Sequence, residues 1–127
     1  MQFGFHLTLD LYECPIETLN NMTTVYDSML NLPKKINMHV LTHPYVVNAD
    51  ANVVKDPGGY SGFIIIQESH ISVHTFTKRG FVSIDVYSCK PFDREAAKQH
   101  FIEIYKPKQV EEHFVDRGLY YPDNDIY

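Results

Sequence analysis

The sequence predicts an α+β fold, a two-layer α/β sandwich whose mostly antiparallel sheet carries two helices on one face. Three observations lead there. Period-two alternation and three-to-four-residue apolar spacing are interleaved along 127 residues, which excludes a helical bundle and an all-β sandwich. The four residues "TKRG" separate two strand patterns, too short a link for the crossover of a parallel pair. A hydrophobic content of 44%, spread along the whole chain, suits one core in a single domain spanning 1–127.

The predicted element order is β-α-β-β-β-α-β. "FGFHLTLDLY" alternates, with Phe3, Phe5, Leu7, Leu9 and Leu11 on one face of a half-buried strand. "CPIETLNNMTTVYDSMLNL" follows as a helix that Pro15 opens and Pro33 stops, with Leu19, Met22, Tyr26 and Met29 as its inward stripe. "INMHVLTHPYVV" is a second strand, bent or on an edge at Pro44. "NADANVVKDPGGYSG" is a loop with a turn at Pro57-Gly58-Gly59. "GFIIIQESHISVHTF" reads as one strand, and "FVSIDVYSC" pairs with it as a hairpin about Lys78–Arg79. "FDREAAKQHFIEIY" is a helix with Asp93 as N-cap and Ala97, Phe101, Ile104 and Tyr105 facing inward. "KPKQVEEHFVDRG" is a last strand before a polar tail. A sheet covered on one face leaves the other bare, and a second copy of the chain is a natural cover.

Charge narrows the partners. Eleven Lys and Arg against sixteen Asp and Glu give a formal charge of −5, with no basic run longer than Lys34–Lys35, so nucleic acid is not expected. No apolar stretch approaches the roughly 20 residues of a membrane helix, and the opening lacks the basic start of a secretory signal. The expected location is the cytoplasm, with Cys14 and Cys89 as reduced thiols. No metal is expected either. His70 and His74 lie two pleats apart on a strand, and neither Cys-x-x-Cys nor His-Glu-x-x-His occurs.

One stretch concentrates reactive groups: Glu68, Ser69, His70, Ser72, His74 and Thr75 follow directly on an apolar strand start. Alternation puts Ser72 and His74 on one face, Ile71 and Val73 on the other. In the hairpin register, His74 faces about Ser83, and Ser69 faces Ser88 or Cys89. The residues alone give a hydroxyl, imidazole and thiol cluster. An ordinary water-facing sheet side, with Cys89 as a packed thiol, fits the same pattern.

These stretches resemble the prokaryotic S-adenosylmethionine decarboxylase proenzymes, a pyruvoyl-dependent family. The likeness lies in "ESHISVHT" between "YSGFIIIQ" and "GFVSIDVYSC", in "HLTLDLYEC", and in "KPKQVEEHFVDRG". It implies a chain that cuts itself between Glu68 and Ser69 into 1–68 and 69–127, with Ser69 becoming a covalent pyruvoyl group. That group would be the cofactor, in place of pyridoxal phosphate or a metal, and would form a Schiff base with the substrate amine. By the same likeness His74 is the proton acceptor in processing, Ser61 supports processing, and Cys89 is the proton donor in decarboxylation. Cys14 is a packed thiol instead.

The implied product is decarboxylated S-adenosylmethionine for spermidine-type polyamines, made by a homodimer of processed protomers. Substrate-binding positions would be Phe76 and Lys78, but Lys78 stands where the family has an acid, and Lys55 stands where it has a stacking Phe. These two lysines raise the alternative of a basic amino acid, arginine or ornithine, as substrate. A non-catalytic activating paralogue is a third reading, against which the retained Ser69, His74 and Cys89 argue.

Overall fold

The computed structural model describes residues 2–52 and 54–123; Met1, Val53 in the predicted loop and the last four residues of the polar tail lie outside the described residues. Strands β1 (Gly4–Tyr12), β2 (Tyr45–Ala49), β3 (Gly59–Ile66), β4 (Ser69–Phe76), β5 (Phe81–Ser88) and β6 (Gln109–Arg117) form one sheet in the order β2-β3-β4-β5-β1-β6. Every neighbouring pair is antiparallel. Helices α1 (Ile16–Leu19), α2 (Met22–Lys35) and α3 (Arg94–Tyr105) supply the second layer.

The core lies between the layers. Leu7, Leu9 and Leu11 of β1, Ile71 and Val73 of β4, and Val82, Ile84 and Val86 of β5 are fully buried. They meet Val25, Met29 and Leu32 of α2 and Ala97, Phe101 and Tyr105 of α3. One polar chain, buried except at Lys35, ties the two helices. Lys35 Nζ donates to His100 Nδ1 at 2.9 Å, His100 Nε2 donates to the Ser28 carbonyl at 2.8 Å, and the Ser28 and Tyr105 hydroxyls lie 2.9 Å apart.

Four expectations need correction. The predicted first helix is two, because the chain breaks at Asn20–Asn21 and Asn21 caps α2 by accepting from Thr24 N at 3.2 Å. That break shifts the phase of the stripe, so Val25, Met29 and Leu32 go inward while Met22 is exposed. Pro33 sits inside the last turn of α2 and does not end it; its carbonyl closes the helix by accepting from Ile36 N and Met38 N. The second strand starts only at Tyr45, after Pro44, which has no N–H to donate.

The fourth correction matters most. The predicted strand 62–76 is two strands, β3 and β4, folded back on each other at Gln67–Glu68, with Ile66 opposite Ser69. The observed order is therefore β-α-α-β-β-β-β-α-β. At the other end of β4 a 3-10 turn, Thr77–Arg79, leads to Gly80 at φ +63, where a Cβ would meet the Cys14 carbonyl at 3.0 Å.

Opposite the helices the sheet is uncovered. Its central rows run Ile65, His70, Tyr87, His6, Val115; then Phe63, Ser72, Asp85, Thr8, His113; then Ser61, His74, Ser83, Asp10, Glu111. Tyr45, Val47, Phe63, Ile65 and Val115 on this face are exposed.

Candidate active site

The Gln67–Glu68 turn is the first half of the site. Two-residue hairpin loops normally place Gly, Asn or Asp at positive φ inside the turn. Neither Gln67 nor Glu68 does so; the unusual angle falls on Ser69, at φ +150. That region is almost reserved for glycine and costs on the order of 1–3 kcal/mol. The carbonyl before Ser69 is held too, since Cys89 N donates to Glu68 O at 2.8 Å. This is the carbonyl that the Ser69 hydroxyl would attack, and the amide is aimed where negative charge would grow. Cys89 itself is exposed at the end of β5, with its thiol free.

The Glu68 carboxylate is buried, and His39 holds both of its oxygens: His39 N donates to Oε1 at 3.0 Å and Nδ1 donates to Oε2 at 2.7 Å. Burial pushes the Glu68 carboxyl up, but these bonds outweigh it and hold the group below the usual carboxylate range.

Ser61 and His74 form the second half. They are cross-strand partners on the uncovered face, with His74 Nδ1 and Ser61 Oγ 2.9 Å apart. They line a shallow depression of about 230 Å³ with Tyr45, Val47, Phe63 and Ser72. Nearby, burial and then Glu111 hold Asp10 above its ordinary pKa. Burial and His6 hold the His70 imidazole below its own, and His6 Nε2 meets Asp85 Oδ1 at 2.8 Å.

The two halves do not meet within one chain. Ser69 and His74 are five residues apart on β4, so their Cα atoms are separated by roughly 17 Å at about 3.3 Å per residue. An odd spacing also points them to opposite faces. Glu68, Ser69 and Cys89 come together, and so do Ser61 and His74, but the expected single cluster is divided. The register itself matches expectation, with His74 opposite Ser83 and Ser69 opposite Ser88.

The sequence profile of the family described as S-adenosylmethionine decarboxylase matches residues 5–118. The chain belongs to this family. Among curated relatives, an S-adenosylmethionine decarboxylase proenzyme of Sulfurihydrogenibium sp. is 31% identical over 118 residues, 91% of this chain and 83% of that one. The proenzyme of Oceanobacillus iheyensis is 31% identical, with 91% and 87% covered, and that of Thermococcus kodakarensis 32%, with 91% and 77%. The crystal structure of the adenosylmethionine decarboxylase from Aquifex aeolicus superposes with a TM-score of 0.80 over 98% of this chain and 97% of that one, at 22% identity, which establishes the shared fold. A basic amino acid as substrate and a non-catalytic paralogue find no support in these comparisons.

Against the family pattern, Phe76 packs on Phe81 with ring centroids 5.3 Å apart, next to Tyr12. Lys78 lies on the 3-10 turn and lines a depression of about 410 Å³ with Asn48, Asp50 and Tyr60. Lys55 is exposed in a loop that Asn52 Oδ1 organises by accepting from the amides of residues 54, 55 and 56. Cys14 is buried, and burial pushes its thiol up to about 11. Among the described residues, no three His, Cys, Asp or Glu are grouped to hold a metal ion, and no helix is long and apolar enough to cross a membrane.

Sequence reasoning missed His39 and the His6–Asp85 pair. His39 carried no signal, because it stood in what read as a strand. The alternation of β1 and β5 placed His6 and Asp85 on the face of His74, and their pairing could have been drawn from it.

Proposed function

We propose that the chain is a proenzyme that cuts itself between Glu68 and Ser69 and then decarboxylates S-adenosylmethionine, providing the aminopropyl donor for polyamine synthesis. The observation that carries the reading is the Cys89 amide on the Glu68 carbonyl at 2.8 Å, next to Ser69 at φ +150.

The self-cleavage follows from the groups present. Ser69 Oγ adds to the Glu68 carbonyl carbon, whose oxygen takes up charge against the Cys89 N–H. The C–N bond then breaks, leaving an ester on Oγ and the proton on the Ser69 nitrogen. Removal of the Ser69 Cα proton expels the Glu68 carboxylate, and water replaces the nitrogen as ammonia. His74 is the base for that proton, with Ser61 holding its imidazole through Nδ1.

A pyruvoyl group at position 69 supplies an electron sink for loss of carbon dioxide from the substrate. The chain's own residues fit it, because residue 69 starts β4 under the Cys89 end of β5. The Cys89 thiol, exposed beside that position, delivers the proton that replaces the carboxylate on carbon. Phe76, two residues beyond His74 on β4, and Lys78, on the turn that follows, are the proposed substrate contacts.

The reading also needs a second copy. A twofold axis near Ser72, with the uncovered faces stacked and the β4 strands antiparallel, brings the Ser69 end of one chain over His74 of the other. The exposed Tyr45, Val47, Phe63 and Ile65 on that face suit burial in such a homodimer. Both cysteines are free, consistent with work in the reducing cytoplasm.

The test is a denaturing intact-mass spectrum of the wild type and of Ser69→Ala, with carbon dioxide release from carboxyl-labelled S-adenosylmethionine. Wild type should give fragments 1–68 and 69–127, the second lacking ammonia relative to a serine start, and should release the label. Ser69→Ala should do neither. An uncut wild type removes the proposal.

A further inference from the structure

Glu68 is held more firmly than a hairpin turn requires. The segment from Asn37 to Thr42 runs along the outer edge of β3, beyond the end of its pairing with β2, as an irregular strap, with Val40 bridged to Ile66 and Leu41 N donating to Ile65 O at 3.0 Å. At the turn it supplies three bonds: Gln67 N to the His39 carbonyl at 2.8 Å, and the two from His39 to the Glu68 carboxylate at 3.0 and 2.7 Å. The strap is fastened to the end of β5 as well. Lys90 Nζ donates to Asn37 O at 2.6 Å, and Met38 Sδ packs 3.7 Å from Ser88 Oγ.

That end of β5 is the piece whose Cys89 amide grips the Glu68 carbonyl. Glu68 is thus held by its side chain from one side and by its carbonyl from the other, on two supports bonded to each other. A carboxylate 8% exposed would be costly without partners, whereas the His39 ring is 66% exposed and has no packing duty of its own. What the ring does is hold Oε2 through Nδ1.

We propose that His39 is a positioning residue for self-cleavage: through Nδ1–H it fixes the Glu68 side chain so that the Glu68 carbonyl is presented to Ser69 Oγ and the Cys89 amide. His39 touches neither reacting atom. It acts through Glu68, by narrowing the rotation of the one peptide unit whose carbon must be attacked. Orientation of this kind bears on the rate of the first step and leaves the later decarboxylation to other groups. The inference rests on the self-cleavage proposed above.

The experiment follows full-length chains made by cell-free synthesis, sampled over time by denaturing mass spectrometry. It compares wild type with His39→Ala, His39→Asn and His39→Gln. The Asn amide nitrogen falls near the Nδ1 position and the Gln amide nitrogen near Nε2, so the pair separates the hydrogen bond from mere bulk. Loss of one charge-assisted bond should slow cutting by about 10- to 100-fold in His39→Ala and His39→Gln. His39→Asn should restore most of the wild-type rate.

Thermal midpoints are read on Ser69→Ala chains with and without His39→Ala, so that cutting cannot blur them. The His39→Ala chain should melt only a few degrees lower, because the His39 amide still holds Oε1, and should stay folded at the assay temperature. Equal cutting rates in all four chains overturn the inference alone. So does His39→Asn cutting as slowly as His39→Ala, or a drop in midpoint large enough to leave the chain unfolded at the assay temperature. A wild type that never cuts overturns the self-cleavage reading, and this one with it.

Discussion

A mixture of two inactive chains should cut where neither does alone. The perturbation is to co-express Ser69→Ala, which has no attacking hydroxyl, with His74→Ala, which has no base. The magnitude that motivates it is the roughly 17 Å along β4 between these residues, set against the roughly 3 Å at which a base meets its proton. No rotamer of Ser69 or His74 closes that gap, and the two point to opposite faces of the sheet. If the site is shared, a mixed dimer contains one dead site and one complete site. The complete site joins Ser69 of the His74→Ala chain to His74 of the Ser69→Ala chain. With random pairing about half of the His74→Ala chains sit in mixed dimers and should be cut.

The assay is intact-mass spectrometry of dimers purified through two different tags. A fragment 69–127 carrying the His74→Ala substitution, recognised by its lower mass, identifies which chain was cut. The Ser69→Ala chain should stay whole throughout. The reasoning is refuted if doubly tagged dimers form and that substituted fragment never appears. It is refuted equally if His74→Ala cuts when expressed alone.

Three further outcomes are expected. Cys89→Ala should still cut, because the backbone amide and not the thiol holds the Glu68 carbonyl; its turnover, measured by carbon dioxide release, should fall about 10²- to 10⁴-fold with loss of the proton donor. Burial, with Lys35 adding to it, holds His100 below its ordinary pKa against the Ser28 carbonyl. Protonation therefore favours the unfolded chain, and the stability His100 gives is present above about pH 6.5 and is lost as pH falls. The thermal midpoint should drop from pH 7.5 to 5.5 by more in wild type than in His100→Gln. Phe101 is fully buried between α3 and the sheet, so Phe101→Ala should cost about 3–5 kcal/mol, read from denaturant unfolding of the uncut Ser69→Ala chain.

The elements with unambiguous period were legible in the sequence. The alternation of β1, the Asp93 cap of α3 and the hairpin about Lys78–Arg79 all stand where the pattern put them, and the hairpin register follows from a turn four residues long. The Gln67–Glu68 turn was hidden for a physical reason. It has no Gly, Pro or Asn, and a run of isoleucines passes straight into an alternating segment, so nothing local marks a reversal. The turn depends on partners far along the chain, His39 and Cys89, which no window of sequence contains. The phase of α2 failed similarly, since Asn20–Asn21 breaks the helix and resets which side chains face inward. Candidate site residues were legible as types and as cross-strand neighbours. Their division into two halves was implicit as well, since an odd spacing of five residues on one strand already sets Ser69 and His74 far apart on opposite faces. The pairing of Ser61 with His74 was not, because it follows from the hidden turn.

Backbone strain at Ser69 cannot by itself drive the cut. An angle of φ +150 on a serine stores on the order of 1–3 kcal/mol, and releasing all of it in the transition state would speed the reaction by roughly 5- to 150-fold. One amide donor on the developing oxyanion adds about 10²- to 10³-fold. Both aids are present in the single chain, and both act on the first step, the shift of the acyl group to Ser69 Oγ. Neither acts on the Cα proton, whose removal makes the cut permanent and needs a base. An isolated chain can therefore prepare the bond, even exchange amide and ester, and still remain whole. If the site is shared between two copies as proposed, commitment waits until His74 of the second copy arrives over the turn, and the reactive carbonyl is created only inside a folded, paired protein.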